Sequence, residues 1–169
     1  KKISKILITS ITLSSGKILE KKFSEIDKVI HQFLPLDIPI LVKKFLDHWL
    51  PDLAVFVDSE IWPNTISAIS KKKIPLVLVN ARITKKTYKK WKILKNFSKN
   101  IFEKFNLCIV SNNETEIYLK DLGVKNIKNY GNLKFTTTEK NLNNKLDNNY
   151  LINFKNRKIW CAASTHPTE

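Results

Sequence analysis

Methionine is absent from this 169-residue chain, and glycine occurs only three times, at Gly16, Gly123 and Gly131. So few glycines exclude a glycine-rich phosphate-binding loop, which needs several of them within a few residues. Cysteine occurs twice, as Cys108 and Cys161. Both fall inside apolar runs and show no metal or redox spacing, so they read as buried free thiols in a reducing cytoplasm. There is no His/Cys metal cluster, no nucleophile elbow and no nucleic-acid-binding motif. No apolar run approaches the roughly 20 residues needed to cross a bilayer, and a mean hydropathy of −0.24 excludes a bundle of membrane spans. Lys1-Lys2-Ile3-Ser4-Lys5 leads into a short, Thr/Ser-rich apolar stretch, which is not a signal peptide. With no methionine anywhere, the chain is expected to be a piece of a longer polypeptide.

Charge of one sign is in excess: the net charge is +15. Such an excess points to an anionic partner, whether nucleic acid, anionic lipid or a phosphorylated substrate. Yet only Arg82 and Arg157 of the 30 basic residues are arginine, and asparagine is abundant. A Lys/Asn/Ile-rich chain is also what an AT-rich genome produces, so composition leaves both readings open. The length suits one full domain and part of another, and a domain of this size buries roughly 70% of its unfolded surface.

Four apolar runs stop abruptly in polar clusters. Leu53-Ala54-Val55-Phe56-Val57 precedes Asp58-Ser59-Glu60, and Leu76-Val77-Leu78-Val79 precedes Asn80-Ala81-Arg82. Leu107-Cys108-Ile109-Val110 precedes Ser111-Asn112-Asn113, and Ile159-Trp160-Cys161-Ala162-Ala163 precedes Ser164-Thr165-His166-Pro167-Thr168-Glu169. Each run is short and lacks alternation, which predicts a strand buried on both faces. Helical stretches separate them, so the fold class is α/β with a parallel sheet and helices on both faces. Further strands are predicted at 6–8, 29–33 and 127–130, giving about five or six in one sheet. Helices are predicted up to Phe23, from about Pro39 to Trp49 with Asp37 as its cap, and from Pro63 to about Lys72. The region 84–105 reads as one long helix or two, and a helix from Glu114 to Leu122 is closed by Gly123. From Thr136 the composition turns Thr/Asn/Lys-rich, as in a linker.

In an open parallel sheet, ligands bind beyond the carboxyl ends of the strands. Glu60 there could accept a hydroxyl proton or hold a sugar hydroxyl; it could equally cap the following helix. Arg82, retained where lysine prevails, suits bidentate contact with carboxylate or phosphate, or a structural ion pair. Ser164, Thr165, His166 and Glu169 supply donors for phosphate or sugar, or a capped helix start. Lys134 could pair with an anion or stay solvated. His31 and His48 read as structural. Trp91, Leu94, Ile101 and Phe105 recur at helical spacing among lysines, as in a helix that covers a sheet or lies on an anionic membrane.

Taken in order, Thr9-Ser10-Ile11-Thr12, His31-Gln32-Phe33-Leu34-Pro35-Leu36-Asp37, Glu60-Ile61-Trp62-Pro63-Asn64, Asn80-Ala81-Arg82-Ile83, Gly131-Asn132-Leu133-Lys134-Phe135 and Ala162-Ala163-Ser164-Thr165-His166 resemble the 3-deoxy-D-manno-octulosonic acid (Kdo) transferases of lipid A biosynthesis. The resemblance implies half of a two-domain GT-B glycosyltransferase with Rossmann-like domains. Residues 1–135 would be the acceptor-side domain lacking its first strand and helix, 136–157 a linker, and 158–169 the first strand and turn of a nucleotide-sugar domain. It implies transfer of Kdo from CMP-Kdo to a lipid A precursor, lipid IVA, with inversion, at the cytoplasmic face of the inner membrane. Thr9, Ser10, Thr12, Glu60, Asn64 and Arg82 would line the acceptor side of the cleft; Lys134, Ser164, Thr165, His166 and Glu169 would meet the donor. The general base, a Glu of a Gly-Glu turn in the family, would lie outside this chain, which would be inactive alone. Neither metal nor cofactor is expected; the partners implied are CMP-Kdo, the lipid and an anionic membrane surface, not nucleic acid. Thr136 stands where an Asp is usual and Thr168 where a Gly is usual. Another nucleotide-sugar glycosyltransferase, or a basic nucleic-acid-binding module, are the alternative readings.

Overall fold

A computed structural model describes residues 5–133. Lys134, Ser164, Thr165, His166 and Glu169, with the linker and the last expected strand, lie outside the described residues. The chain divides into two units, Lys1–Gly131 and Asn132–Glu169; the first holds all the strands and helices of the described residues.

Strands and helices alternate: β1 (Ile6–Ser10), α1 (Leu13–Phe23), β2 (Val29–Phe33), α2 (Pro39–Trp49), β3 (Ala54–Val57), α3 (Pro63–Lys71), β4 (Leu76–Ala81), α4 (Lys85–Ile93), α5 (Lys95–Phe102), β5 (Leu107–Val110), α6 (Asn113–Asp121) and β6 (Ile127–Asn129). Every strand pair is parallel, as connections through helices dictate. The 84–105 region is two helices, broken at Leu94. Gly123, at φ +106°, closes α6 as expected.

Two expectations are corrected. The strands do not form one sheet: β1 pairs with β2, and β3-β4-β5-β6 form a separate sheet in that order. Among the described residues each sheet therefore has an open edge, along β1 and along β3. Nor are the strands buried on both faces. Leu76, Leu78, Cys108 and Val110 are buried, with Ile66, Ile101, Phe102 and Leu119 over them. The alternate positions of β4 and β5 are only partly covered, and Val55 and Val57 are half-exposed. The described residues supply full cover on one side and partial cover on the other.

A third correction concerns Asp37. It does not cap α2, whose N-cap is Ile38 with no side-chain bond. Its carboxylate instead accepts from the backbone N–H of Asn64 (3.0 Å) and Thr65 (2.7 Å) and from the Thr65 hydroxyl (2.7 Å). Asp37 follows β2 closely and Asn64 follows β3, so the carboxyl ends of the two sheets lie on the same side. Pro63 opens α3 with a missing N–H, and Asp37 satisfies the next two donors.

Candidate functional site at the carboxyl edge of the sheet

The turns after β3 and β4 carry Glu60 and Arg82. Because those strands are adjacent and parallel, both residues emerge at one edge. The Ser59 hydroxyl donates to the backbone carbonyl of Arg82, tying one turn to the other (2.5 Å). The residues beside Arg82 are anchored too. The Ala81 carbonyl accepts from the N–H and hydroxyl of Ser111, each at 3.0 Å. The Ile83 N–H donates to the buried hydroxyl of Thr115 at 3.1 Å. The backbone at Arg82 is thus held from β3, β5 and α6 while its side chain is exposed.

Glu60 does not serve as a helix cap, because Asp37 occupies those donors. Its Oε2 accepts from the indole Nε1 of Trp62 at 2.7 Å, and the residue is exposed. That bond fixes the carboxylate's orientation and leaves it hydrated at the mouth of the edge. Asn64 is engaged in support: its amide donates to the Asp37 carbonyl at 2.6 Å.

On β1, Thr9 is exposed and Ser10 is buried. The Ser10 hydroxyl and His31 Nε2 are 2.8 Å apart. His31 Nδ1 lies 3.7 Å from Glu20, and its ring packs edge-on against Phe33. A β-carbon on Gly16 would meet that Phe33 ring at 2.9 Å, so α1 crosses β2 at glycine distance. Thr12 caps α1: its hydroxyl accepts the Ser15 N–H at 3.2 Å and donates to the Ser15 hydroxyl at 2.8 Å. His48 is exposed on α2 and meets Trp49 edge-on. Cys108 is fully buried, and desolvation pushes its thiol up to about 12, so it is a poor nucleophile and ligand.

Around the break between α4 and α5, Ile93, Leu94 and Phe97 are 81%, 55% and 47% exposed. They stand among Lys89, Lys90, Lys92 and Lys95, all exposed. Trp91 is half-buried, stacked on Phe97 and edge-on to Phe102. No helix among the described residues is long and apolar enough to cross a membrane.

Ser59, Ser111, Thr115 and Asp37 were not singled out as site supports from sequence. A serine or threonine in a turn carries no signal of its partner when that partner lies on another strand.

Alternating parallel strands and helices, with polar groups gathered at the carboxyl edge, define the class: a Rossmann-like α/β domain, a fold whose members bind ligands beyond the carboxyl ends of the strands. Residues 1–137 match the family described as 3-deoxy-D-manno-octulosonic-acid transferase (kdotransferase), and the chain belongs to this family. It is similar to a 3-deoxy-D-manno-octulosonic acid transferase of Rickettsia prowazekii, 38% identical over 98% of this chain and 35% of that protein. A 3-deoxy-D-manno-octulosonic acid transferase of Haemophilus influenzae is 28% identical over 97% of this chain and 39% of its own length. A bifunctional glycosyltransferase/methyltransferase of Fusobacterium nucleatum is 27% identical over 97% and 26% respectively. The chain thus spans little more than a third of the first two relatives.

Proposed function

We propose that this chain is the acceptor-side part of an enzyme that transfers Kdo from CMP-Kdo to a lipid A precursor such as lipid IVA. The observation that carries the reading is the family match over residues 1–137. The paired turns of Glu60 and Arg82 at one sheet edge are consistent with it. In the reaction, a hydroxyl oxygen of the acceptor attacks the anomeric carbon of Kdo. The bond from that carbon to the CMP phosphate oxygen breaks with inversion, and CMP leaves with the bonding electrons. The hydroxyl proton passes to a base outside this chain.

Glu60 orients acceptor hydroxyls, with Thr9 and Ser10 on the neighbouring edge; Thr12 and Asn64 hold the backbone that presents them. The exposed guanidinium of Arg82 presents a planar fork to a phosphate or carboxylate. Lys134, Ser164, Thr165, His166 and Glu169 serve the donor. Both substrates are anionic, so a cationic edge lowers the cost of bringing them together. The step needs no metal or cofactor, because CMP is a good leaving group.

The Ile93–Leu94–Phe97 surface, ringed by lysine, is the part that rests on the membrane, at its cytoplasmic face. Apolar side chains enter the interface while ammonium groups meet anionic headgroups. The open edges of β1 and β3 support a further element. A doubly wound sheet has its first strand at the centre, and a strand ahead of β1 would fill that place between β1 and β3.

The test is transfer of Kdo from CMP-Kdo, generated in situ, to a lipid A precursor by a polypeptide of the relatives' full length that contains this chain. Transfer of another sugar in its place would leave a related glycosyltransferase. No transfer, with salt-sensitive nucleic-acid binding, would favour the basic module. The 169-residue chain alone is expected to be inactive.

A further inference from the structure

Asp58 and Asn80 take no part in the proposed chemistry, yet they share an unusual backbone. Their φ angles are +58° and +55°, the left-handed region that side-chain-bearing residues avoid and that Asp and Asn tolerate best. They stand at equivalent places, one closing β3 and the other near the end of β4. Each precedes a site residue by two: Asp58 comes before Glu60, and Asn80 before Arg82. The two are bonded to each other across the strands, the Asn80 amide donating to Asp58 Oδ1. The Asp58 N–H donates to the Val79 carbonyl at 3.0 Å, just past the last registered pair of β3 and β4, Val57 with Val79. Asn80 is buried, and the pairing of β4 with β5 shifts register between Leu78 and Ala81, the interval that contains it.

A left-handed residue survives where its surroundings determine it. Here two face each other, each turn fixing the other through a side-chain bond. From these observations, and resting on the proposed reading of the edge, we propose that Asp58 and Asn80 are a positioning pair that sets the placement of Glu60 relative to Arg82. The left-handed conformation at Asp58 turns the chain out of β3, and Ser59, the next residue, bonds the Arg82 carbonyl. The turn at Asn80 brings that carbonyl within reach. Neither residue need touch a substrate.

The test separates backbone from bond. Glycine at either position keeps the left-handed turn and removes the side-chain bond. The reciprocal double variant Asp58→Asn with Asn80→Asp keeps an amide facing a carboxylate. On the 169-residue chain, backbone NMR shifts of Glu60 and Arg82 are measured for wild type, Asp58→Gly, Asn80→Gly and the double variant, alongside urea stability. Asp58→Gly is expected to shift Arg82, on the other strand, and Asn80→Gly to shift Glu60, with the double variant returning both towards wild type. If a glycine variant fails to fold, the double variant still decides, because a non-reciprocal role leaves its Glu60 and Arg82 displaced. Shifts confined to the mutated strand would overturn the pairing.

In a polypeptide of the relatives' full length, each glycine variant is expected to lower kcat by about 100-fold, the cost of a misplacement near 1 Å. KM should change little, and the double variant should recover most of the loss. Unchanged kcat with displaced shifts would overturn the positioning role. Cross-strand shifts with no Kdo transfer by wild type would overturn the functional reading and leave the positioning pair standing.

Discussion

Asp37 and Thr65 are joined by two hydrogen bonds of 2.7 Å, from the Thr65 backbone N–H and from its hydroxyl to the same carboxylate oxygen. A residue after β2 thereby caps the helix after β3. The arrangement ties the segment after one sheet to the segment after the other at the edge that carries Glu60 and Arg82, and it releases Glu60 from capping.

The Asp37 cap should be costly to lose. Asp37→Ala leaves the first turn of α3 without its acceptor and should destabilise the chain by about 1–2 kcal/mol. Asp37→Asn should retain part of this. Urea denaturation of the three proteins measures the difference; a loss for Ala no larger than for an exposed α2 lysine would show that the cap adds nothing to stability.

Glu60 and Arg82 should matter for turnover. Glu60→Ala, Arg82→Ala and His166→Ala should each slow Kdo transfer at least roughly tenfold, about 1.4 kcal/mol of transition-state stabilisation. Arg82→Lys should also be impaired, because an ammonium keeps the charge and loses the fork. Steady-state kinetics in a full-length polypeptide, with folding checked by circular dichroism, decides. Unchanged rates in all four folded variants would make these residues structural.

The apolar surface at the α4–α5 break should bind vesicles. Sedimentation with anionic liposomes should exceed that with neutral ones and weaken as salt rises. Ile93→Ser with Phe97→Ser should reduce binding to both. Equal binding to both lipid types would remove the electrostatic part of this reading.

The open edges of β1 and β3 make a prediction at single amides. Ile6 donates to Lys28, and Ala54 to Pro75, so by alternation the N–H groups of Leu7, Thr9, Val55 and Val57 face away from their paired strands. Their hydrogen exchange should be fast in the 169-residue chain and slow in a full-length polypeptide, if a strand enters there. Equal rates in both would leave the two sheets as the finished arrangement.

Acid should weaken the pairing of α4 with α6. Asp121 lies below the usual carboxylate range, chiefly through the Tyr88 hydroxyl at 2.7 Å and then Lys92 at 3.1 Å. Lys92 is raised, through Tyr88 and Asp121. A lowered carboxylate adds stability above its unfolded value, near 4, and loses it as pH falls through the folded value. The raised Lys92 adds stability below its unfolded value, near 10.4, and loses it as pH rises through the folded one. Asp121→Asn should therefore flatten both limbs of a stability–pH curve. A wild-type acid limb unchanged by this variant would show that the contact contributes nothing in solution.

Among the described residues, the places of the strands and the position of Glu60 and Arg82 beyond them were determined by the sequence alone. Short apolar runs ended by turn-forming residues are local signals, and parallel strands put every carboxyl end on one side. Gly123 was equally legible, since a helix end with positive φ selects glycine. What tertiary structure decided were relations between residues distant in the chain: Asp37 capping α3 and not α2, Trp62 and not a helix N-terminus taking Glu60, and the separation into two sheets. Asp, Asn, Ser and Thr can satisfy a cap, a turn or a distant carbonyl with the same atoms. Which one they satisfy depends on which strands pair, and pairing is set by packing over the whole domain.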